Sequence, residues 1–146
     1  MKTVAIVTRR LKEGKKYEDF RKAWYHTVGF GTPTKMFTAI NVNNPREIIV
    51  MGFVETELDK YLAGLKIDVK ERLNNPLDDI IEPEIDRKFG IVVSEDDFSS
   101  EGSIDYKDAS INGKETDLEK VNQELSEIAQ MICLASVERD KLKAEK

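Results

Sequence analysis

The sequence predicts a mixed α+β protein whose sheet is buried on both faces. Three near-continuous apolar runs carry this prediction, at residues 3–7, 48–51 and 91–93. Successive side chains of a strand point to opposite faces, so a sheet with one solvated face alternates apolar and polar residues. These runs do not alternate, and the helices predicted below can cover only one face. A second copy of the chain is the simplest cover for the other.

Composition indicates a soluble protein that does not bind nucleic acid. The chain has 146 residues, of which 40% are hydrophobic and 35% charged, and its formal net charge is -5. The length suits one domain or one domain with an extension, and the charge leaves no basic footprint for nucleic acid. The single cysteine, Cys133, excludes an intramolecular disulfide and fits a reducing compartment. The apolar stretches are too short for a signal peptide or a membrane span, so we expect a cytoplasmic protein without a membrane partner.

Six elements follow one another in the first 98 residues. Strands are predicted at 3–9, 35–42, 46–55 and 89–93, and helices at 17–28 and 57–73. The second helix is predicted from an apolar stripe formed by Leu58, Tyr61, Leu62, Leu65 and Val69. A turn at 43–46 joins the two middle strands, which should therefore be antiparallel. The order βαββαβ is the ferredoxin-like arrangement, which carries both helices on one face of an antiparallel sheet.

Residues 99–146 are predicted to be a linker followed by a long helix, which extends a domain of residues 1–98. The helix is expected at 117–143, with Thr116 or Asp117 as its N-cap. Its apolar residues follow the spacing of a coiled-coil seam: Leu118, Val121, Leu125, Ile128, Ile132, Ala135 and Leu142. Such a stripe should pack along its own domain or against a partner subunit, and the partner is favoured. Cys133 beside the seam is expected to be a buried filler.

Two segments, GKKYEDFRKAW at residues 14–24 and VMGFVE at residues 50–55, carry a family resemblance. With the element order, they resemble the dimeric α/β-barrel superfamily, which includes antibiotic-biosynthesis-monooxygenase-like and stress-responsive proteins. The resemblance covers residues 3–98. It implies a homodimer, or a higher oligomer, whose sheets pair face to face in a barrel. It also implies a pocket between each sheet and its helices, or inside the barrel.

The resemblance implies a fold more than a reaction. Members include cofactor-independent oxygenases, heme-degrading enzymes, isomerases and lyases. The heme-degrading members use an asparagine, a tryptophan and a histidine that follows the hairpin. Here the first strand has no asparagine, and Trp24 and His26 both fall on the predicted first helix. The first-strand histidine of the stress-responsive members is also missing, so we expect no heme and no other cofactor.

The candidate ligand-binding residues are Trp24, Tyr25, His26 and, on the second strand, Phe37. A histidine can shuttle protons near neutral pH, and a tyrosine can donate to a developing oxyanion. The alternative is structural, with Trp24 in the core and His26 favoured by the dipole at a helix C-terminus. Consecutive residues of a helix point about 100° apart, so the three neighbours should not share one pocket.

Two acidic segments allow a metal-binding interpretation, and neither is adopted, so the expected metal is none. Residues 97–108 match an EF-hand loop in part, with Asp97, Ser99 and Glu101 at loop positions one, three and five and Gly102 at six. Asp108 at position twelve is shorter than the usual glutamate, and a strand precedes the loop. The other set comprises Asp78, Asp79, Glu82, Glu84 and Asp86, and it is interpreted as a solvated turn.

Two functional hypotheses follow. The first is a small-molecule-binding protein or a cofactor-independent, monooxygenase-like enzyme whose substrate the sequence does not identify. The alternative is a non-enzymatic assembly protein that uses the C-terminal helix. A ligand-sized cavity lined by tyrosine or histidine favours the first, whereas a solid interior and a C-terminal helix buried between subunits favour the second. The expected partners are a second copy of the chain and a small molecule.

Overall fold

The structure, a computed structural model, describes residues 1–74 and 77–145 and is a mixed α+β protein. Its elements are β1 (Lys2–Leu11), α1 (Tyr17–Trp24), β2 (Thr34–Asn41), β3 (Asn44–Glu55), α2 (Leu58–Asn74), β4 (Ile81–Ile91), β5 (Ser110–Ile111), β6 (Lys114–Glu115) and α3 (Leu118–Ala144). The first four strands form one antiparallel sheet in the order β2-β3-β1-β4. The predicted α+β class is confirmed, and the arrangement is consistent with a ferredoxin-like fold. No helix within the described ranges is long and apolar enough to cross a membrane.

The sheet has two unlike faces. Residues opposite one another in an antiparallel pair share a face, so the register assigns each strand residue to a side. Ala5, Gly52 and Met36 form a cross-strand row on what we call the helix face, because α1 and α2 lie over it. Ile6, Met51 and Phe37 form the next row on the other side, the open face.

The buried core lies on the helix face. One cluster comprises Leu11, Phe20, Ile48, Val50 and Ile81, and places α1 over the sheet. A second joins Tyr61 of α2 to Ile128 of α3, with Phe89 and Ile91 of β4 packed against them. All buried side chains of the described residues belong to the helix side, while the apolar open-face residues Val4, Ile6, Ile49, Met51 and Phe53 stay half-exposed. A single chain thus covers one of the two apolar faces that the sequence predicts.

Helix α1 is shorter than predicted, since it ends at Trp24 and not near residue 28. The Asp19 carboxylate accepts from the backbone N–H of Lys16 over 2.9 Å and so stabilises the helix start. At the other end Tyr25 is already extended, with ψ of 129°. The β-branched residues Thr27 and Val28 follow, and then Gly29, and all three favour a helix poorly. The chain therefore leaves the helix one residue before His26.

Strand β4 begins eight residues earlier than the predicted start at Phe89. Glu82, Glu84 and Asp86 lie on it, so their interpretation as part of a solvated turn is wrong. Because β4 is an edge strand it carries charged residues and tolerates Pro83, whose missing N–H costs no ladder bond there. The predicted turn at 43–46 is also shorter, because β3 already begins at Asn44.

Helix α3 matches the predicted tail, and the Asp117 carboxylate accepts from the Lys120 backbone N–H over 3.0 Å as its N-cap. The helix lies along α2 of its own chain through Ile128, which is the less favoured of its two predicted arrangements. Leu118 and Leu125 of the predicted seam remain exposed. Cys133 is exposed as well, so its assignment as a buried filler is wrong.

Some predicted features lie outside what the structure describes. Asn75 and Pro76, predicted to end the second helix, fall in the gap between the described ranges. The structure also does not describe the side chains of Leu58, Leu62, Leu65, Val69, Ala135 and Leu142. One element was missed, the β5–β6 hairpin. Its turn is Asn112-Gly113, both with positive φ, and Asn-Gly is the strongest short hairpin signal in a sequence.

The core assignment predicts unequal costs for the same change at two phenylalanines. Phe20 is 1% exposed and Phe98 is 73% exposed. We expect Phe20→Ala to lower the free energy of unfolding by about 3–5 kcal/mol, because it leaves a cavity under α1. The matched control Phe98→Ala should change it by less than about 0.5 kcal/mol. Denaturant titrations of both variants measure this, and equal effects would contradict the position of α1.

Candidate functional site

A cavity of about 140 Å³ lies between the helix face of the sheet and the helices above it. Its floor includes Val50 and Gly52 of β3, and Tyr61 and Gly64 of α2 form part of its roof. Trp24, the last residue of α1, closes one side. The two core clusters flank this space and its wall is almost entirely apolar. We call it the inner cavity.

A wider groove of about 630 Å³ adjoins the inner cavity, and we call it the outer groove. The two share Trp24, Phe30 and Met36 as bordering residues, so they are neighbouring compartments of one concavity. Tyr25 and His26 border the outer groove. Its wall is markedly more polar than that of the inner cavity.

The two compartments meet at a hydrogen bond between His26 and Asp68. Nε2 of His26 lies 2.7 Å from Oδ1 of Asp68 on α2. The imidazole packs between the rings of Trp24 and Phe30, each with its centroid 5.0 Å away. The side chain of His26 is only 9% exposed and that of Asp68 is 40% exposed. Because an ionised carboxylate can only accept, Nε2 carries the proton in this contact.

The structure brings three of the four predicted site residues to one groove and places the fourth, Phe37, on the opposite face of the sheet. Trp24, Tyr25 and His26 all border the outer groove, so the expectation that they could not share a pocket is wrong. That expectation assumed a continuous helix, whereas the helix ends at Trp24 and the backbone is extended at Tyr25. Tyr25 itself is 58% exposed, with the guanidinium of Arg21 5.0 Å from its ring centroid. Phe37 is on the open face, edge-to-face with Phe53 at 6.0 Å, and lies across the sheet from the cavity.

Tyr61 is the buried titratable group of the inner cavity. Burial raises the pKa of Tyr61 to about 12, and the negative charge of Asp68 acts in the same direction. The nearby Thr3 side chain opposes the shift but does not reverse it. The phenol therefore stays neutral at any physiological pH.

Sequence reasoning missed Phe30, Gly64 and Asp68 as site residues. A signal existed for two of them. Asp68 lies seven residues after Tyr61 and Gly64 three residues after it, so all three share one helix face. A carboxylate and a glycine on an otherwise apolar stripe interrupt the core pattern and indicate a site. For Phe30, in a loop after the helix, no periodicity could have given its place.

The acidic segments show no metal centre. Among residues 1–74 and 77–145 no three histidine, cysteine or carboxylate side chains converge as metal ligands. In residues 97–108, which match a calcium loop in part, Asp97 accepts from the backbone N–H of Ser99 over 2.9 Å and from its hydroxyl. These bonds to Ser99 lower the pKa of the Asp97 carboxyl.

No family model matches the chain, and no curated protein matches it. The superfamily resemblance therefore rests on the element order and on residues 14–24 and 50–55 alone. The features of the chain that indicate a function are the inner cavity and the His26–Asp68 pair.

The raised pKa of Tyr61 predicts a stability change at alkaline pH. Unfolded chains lose the tyrosine proton near pH 10, whereas the folded protein keeps it up to about pH 12. The contribution is therefore complete below pH 10 and is lost as the pH rises through 12. We expect the free energy of unfolding to fall more steeply between pH 10 and 12 in the wild type than in Tyr61→Phe. Tyr106→Phe, at a 90% exposed tyrosine, is the matched control for the denaturant titrations.

If the free energy of unfolding falls equally steeply with pH in the wild type and in Tyr61→Phe, the Tyr61 hydroxyl is not desolvated as the structure places it.

Proposed function

We propose that this protein binds a small organic molecule in the inner cavity, with part of the molecule in the outer groove. The observation that carries the proposal is a largely apolar, ligand-sized space with a few polar groups in its lining, which is the usual composition of a small-molecule site. Tyr61 lines this space and His26 borders its extension. A cavity with such residues is what distinguishes a binding protein or enzyme from a pure assembly protein.

The chemistry we propose for the site is proton transfer. The Asp68 carboxylate holds the His26 imidazole in one orientation through the Nε2 hydrogen bond. An imidazole fixed by a carboxylate is a common general base, since the carboxylate stabilises the imidazolium that forms. Asp68 borders the inner cavity and His26 the outer groove, so a molecule that occupies both compartments lies beside the pair. A cofactor-independent, monooxygenase-like reaction stays a prediction, and removal of a substrate proton would be its first step.

We also propose that two copies pair through their open faces to form a barrel. Half-exposed Val4, Ile6 and Met51 lie at the centre of that face, and Phe37 is 55% exposed at one side. Monomeric proteins rarely leave so continuous an apolar surface in water. Two such sheets packed face to face would bury both. The chain's own helices support this arrangement because they occupy the opposite face.

A second candidate function, assembly through α3, has one observation in its favour. Leu118 and Leu125 lie seven residues apart on the same side of α3 and are 53% and 49% exposed. Residues at this spacing can form a helix-to-helix contact. The inner cavity has no role in that function, so the two proposals predict different outcomes for cavity variants.

Ligand binding is testable because Trp24 is the only tryptophan and borders both compartments. We expect native mass spectrometry of the purified protein to show a retained small molecule, and that compound to change Trp24 fluorescence on rebinding. His26→Ala and Asp68→Ala should each weaken rebinding about tenfold or more, since a charge-assisted hydrogen bond at the site is lost. Asp59→Ala, at an exposed carboxylate in the first turn of α2, is the matched control.

The proposal fails if no retained compound and no member of a metabolite library changes Trp24 fluorescence.

The oligomer is tested by placing a charge on each candidate surface. Light scattering at micromolar concentration should show a dimer for the wild type. Ile6→Asp, at the centre of the open face, should give a folded monomer, because an unpaired carboxylate would be buried between the sheets. Leu125→Asp on α3 should leave the dimer intact. The reverse result would favour assembly through α3, and a monomeric wild type would contradict both arrangements.

A further inference from the structure

The inner cavity is bounded by two glycines that no backbone requirement explains. Gly52 lies on the floor and Gly64 in the roof, and neither has the positive φ that would exclude a side chain. A Cβ on Gly52 would lie 3.9 Å from the Met36 side chain, and one on Gly64 would lie 3.7 Å from the Phe30 ring. Both distances are ordinary van der Waals contacts, so alanine would fit at either position.

Glycine at these positions has a cost. In the middle of a helix it is less favourable than alanine, and within a strand it also weakens the element. Gly64 is in the interior of α2 and Gly52 in the interior of β3. What the two missing side chains provide is space, because both positions border the same cavity.

We propose that Gly52 and Gly64 form a slot that selects a planar, single-ring aromatic ligand, which rests on the function proposed above. The volume of about 140 Å³ is close to the roughly 150 Å³ of an engineered apolar cavity that binds benzene, so it holds one six-membered ring. The roof is a helix and the floor a sheet. A flat ring between them contacts both without displacing either, and Trp24 and Phe30 are placed to meet its edges or faces.

The polar end of the slot defines the rest of the ligand. Asp68 borders the cavity and accepts one hydrogen bond from His26 through Oδ1. A carboxylate has capacity for further donors. A ring that carries a hydroxyl group can therefore donate to Asp68 while its carbon atoms stay in the apolar slot, so phenol should bind better than benzene.

The test uses three ring probes, phenol, benzene and cyclohexane, titrated into the full-length protein while Trp24 fluorescence and the melting temperature are recorded. We expect phenol to bind most tightly, benzene next, and the puckered cyclohexane at least about tenfold more weakly than benzene. Gly52→Ala and Gly64→Ala should each lose about tenfold or more in affinity for benzene, since one methyl group occupies the slot. Their melting temperatures should be equal to or above that of the wild type.

Gly90→Ala is the matched control. Gly90 is a strand glycine on the open face, where a Cβ would lie 3.7 Å from Val4. The Gly90→Ala protein should bind benzene as the wild type does. The slot is refuted if cyclohexane binds as well as benzene, if both cavity alanines bind benzene normally, or if no ring probe binds. In each of these cases a retained natural compound that still responds to His26→Ala would leave the proposed function standing. If that compound is also absent, both proposals fail.

Discussion

The arrangement around the inner cavity depends on the burial of Tyr61. Its ring packs edge-to-face on Phe89 of β4, with centroids 5.5 Å apart, and against Ile128 of α3. Its hydroxyl lies close enough to Thr3 of β1 to affect its pKa, and Thr3 is itself buried and donates to the Val54 carbonyl over 3.4 Å. One side chain thereby joins the sheet to both helices α2 and α3.

Tyr61 also explains why a cavity exists beside it. A bulky residue holds α2 away from the sheet, and the next residue on the same face, Gly64, does not fill the gap that results. On the far side of the gap the core resumes with Phe20 stacked on Trp24, with ring centroids 5.8 Å apart. The ring contacts Tyr61–Phe89 and Phe20–Trp24 thus lie on either side of a region that no side chain fills. Such a space is set by the framework around it and does not require the ligand to form.

How much the sequence could predict differs between the sheet and the site. The apolar runs in β1 and β3 predicted a sheet with two apolar faces, because period-two patterning depends only on which side each residue faces. The end of α1 was only partly within this reasoning, because Thr27, Val28 and Gly29 favour a helix poorly but the hydrogen bond of His26 with Asp68, 42 residues away, has no local signal. Edge strand β4 was missed at its start because its outer residues are solvated and carry no apolar period. The pairing of β4 with β1, not local propensity, set where that strand begins.

The cavity has a thermodynamic consequence for the free protein. An unfilled apolar space of about 140 Å³ leaves its lining side chains without the packing partners of an ordinary core, which lowers the stability of the empty protein. A ligand present at about 100 times its dissociation constant would add roughly 2.7 kcal/mol to the folded state. Because alanine would fit at Gly52 and Gly64, the space beside these glycines lowers the stability of the empty protein, and a bound ligand would offset part of that loss.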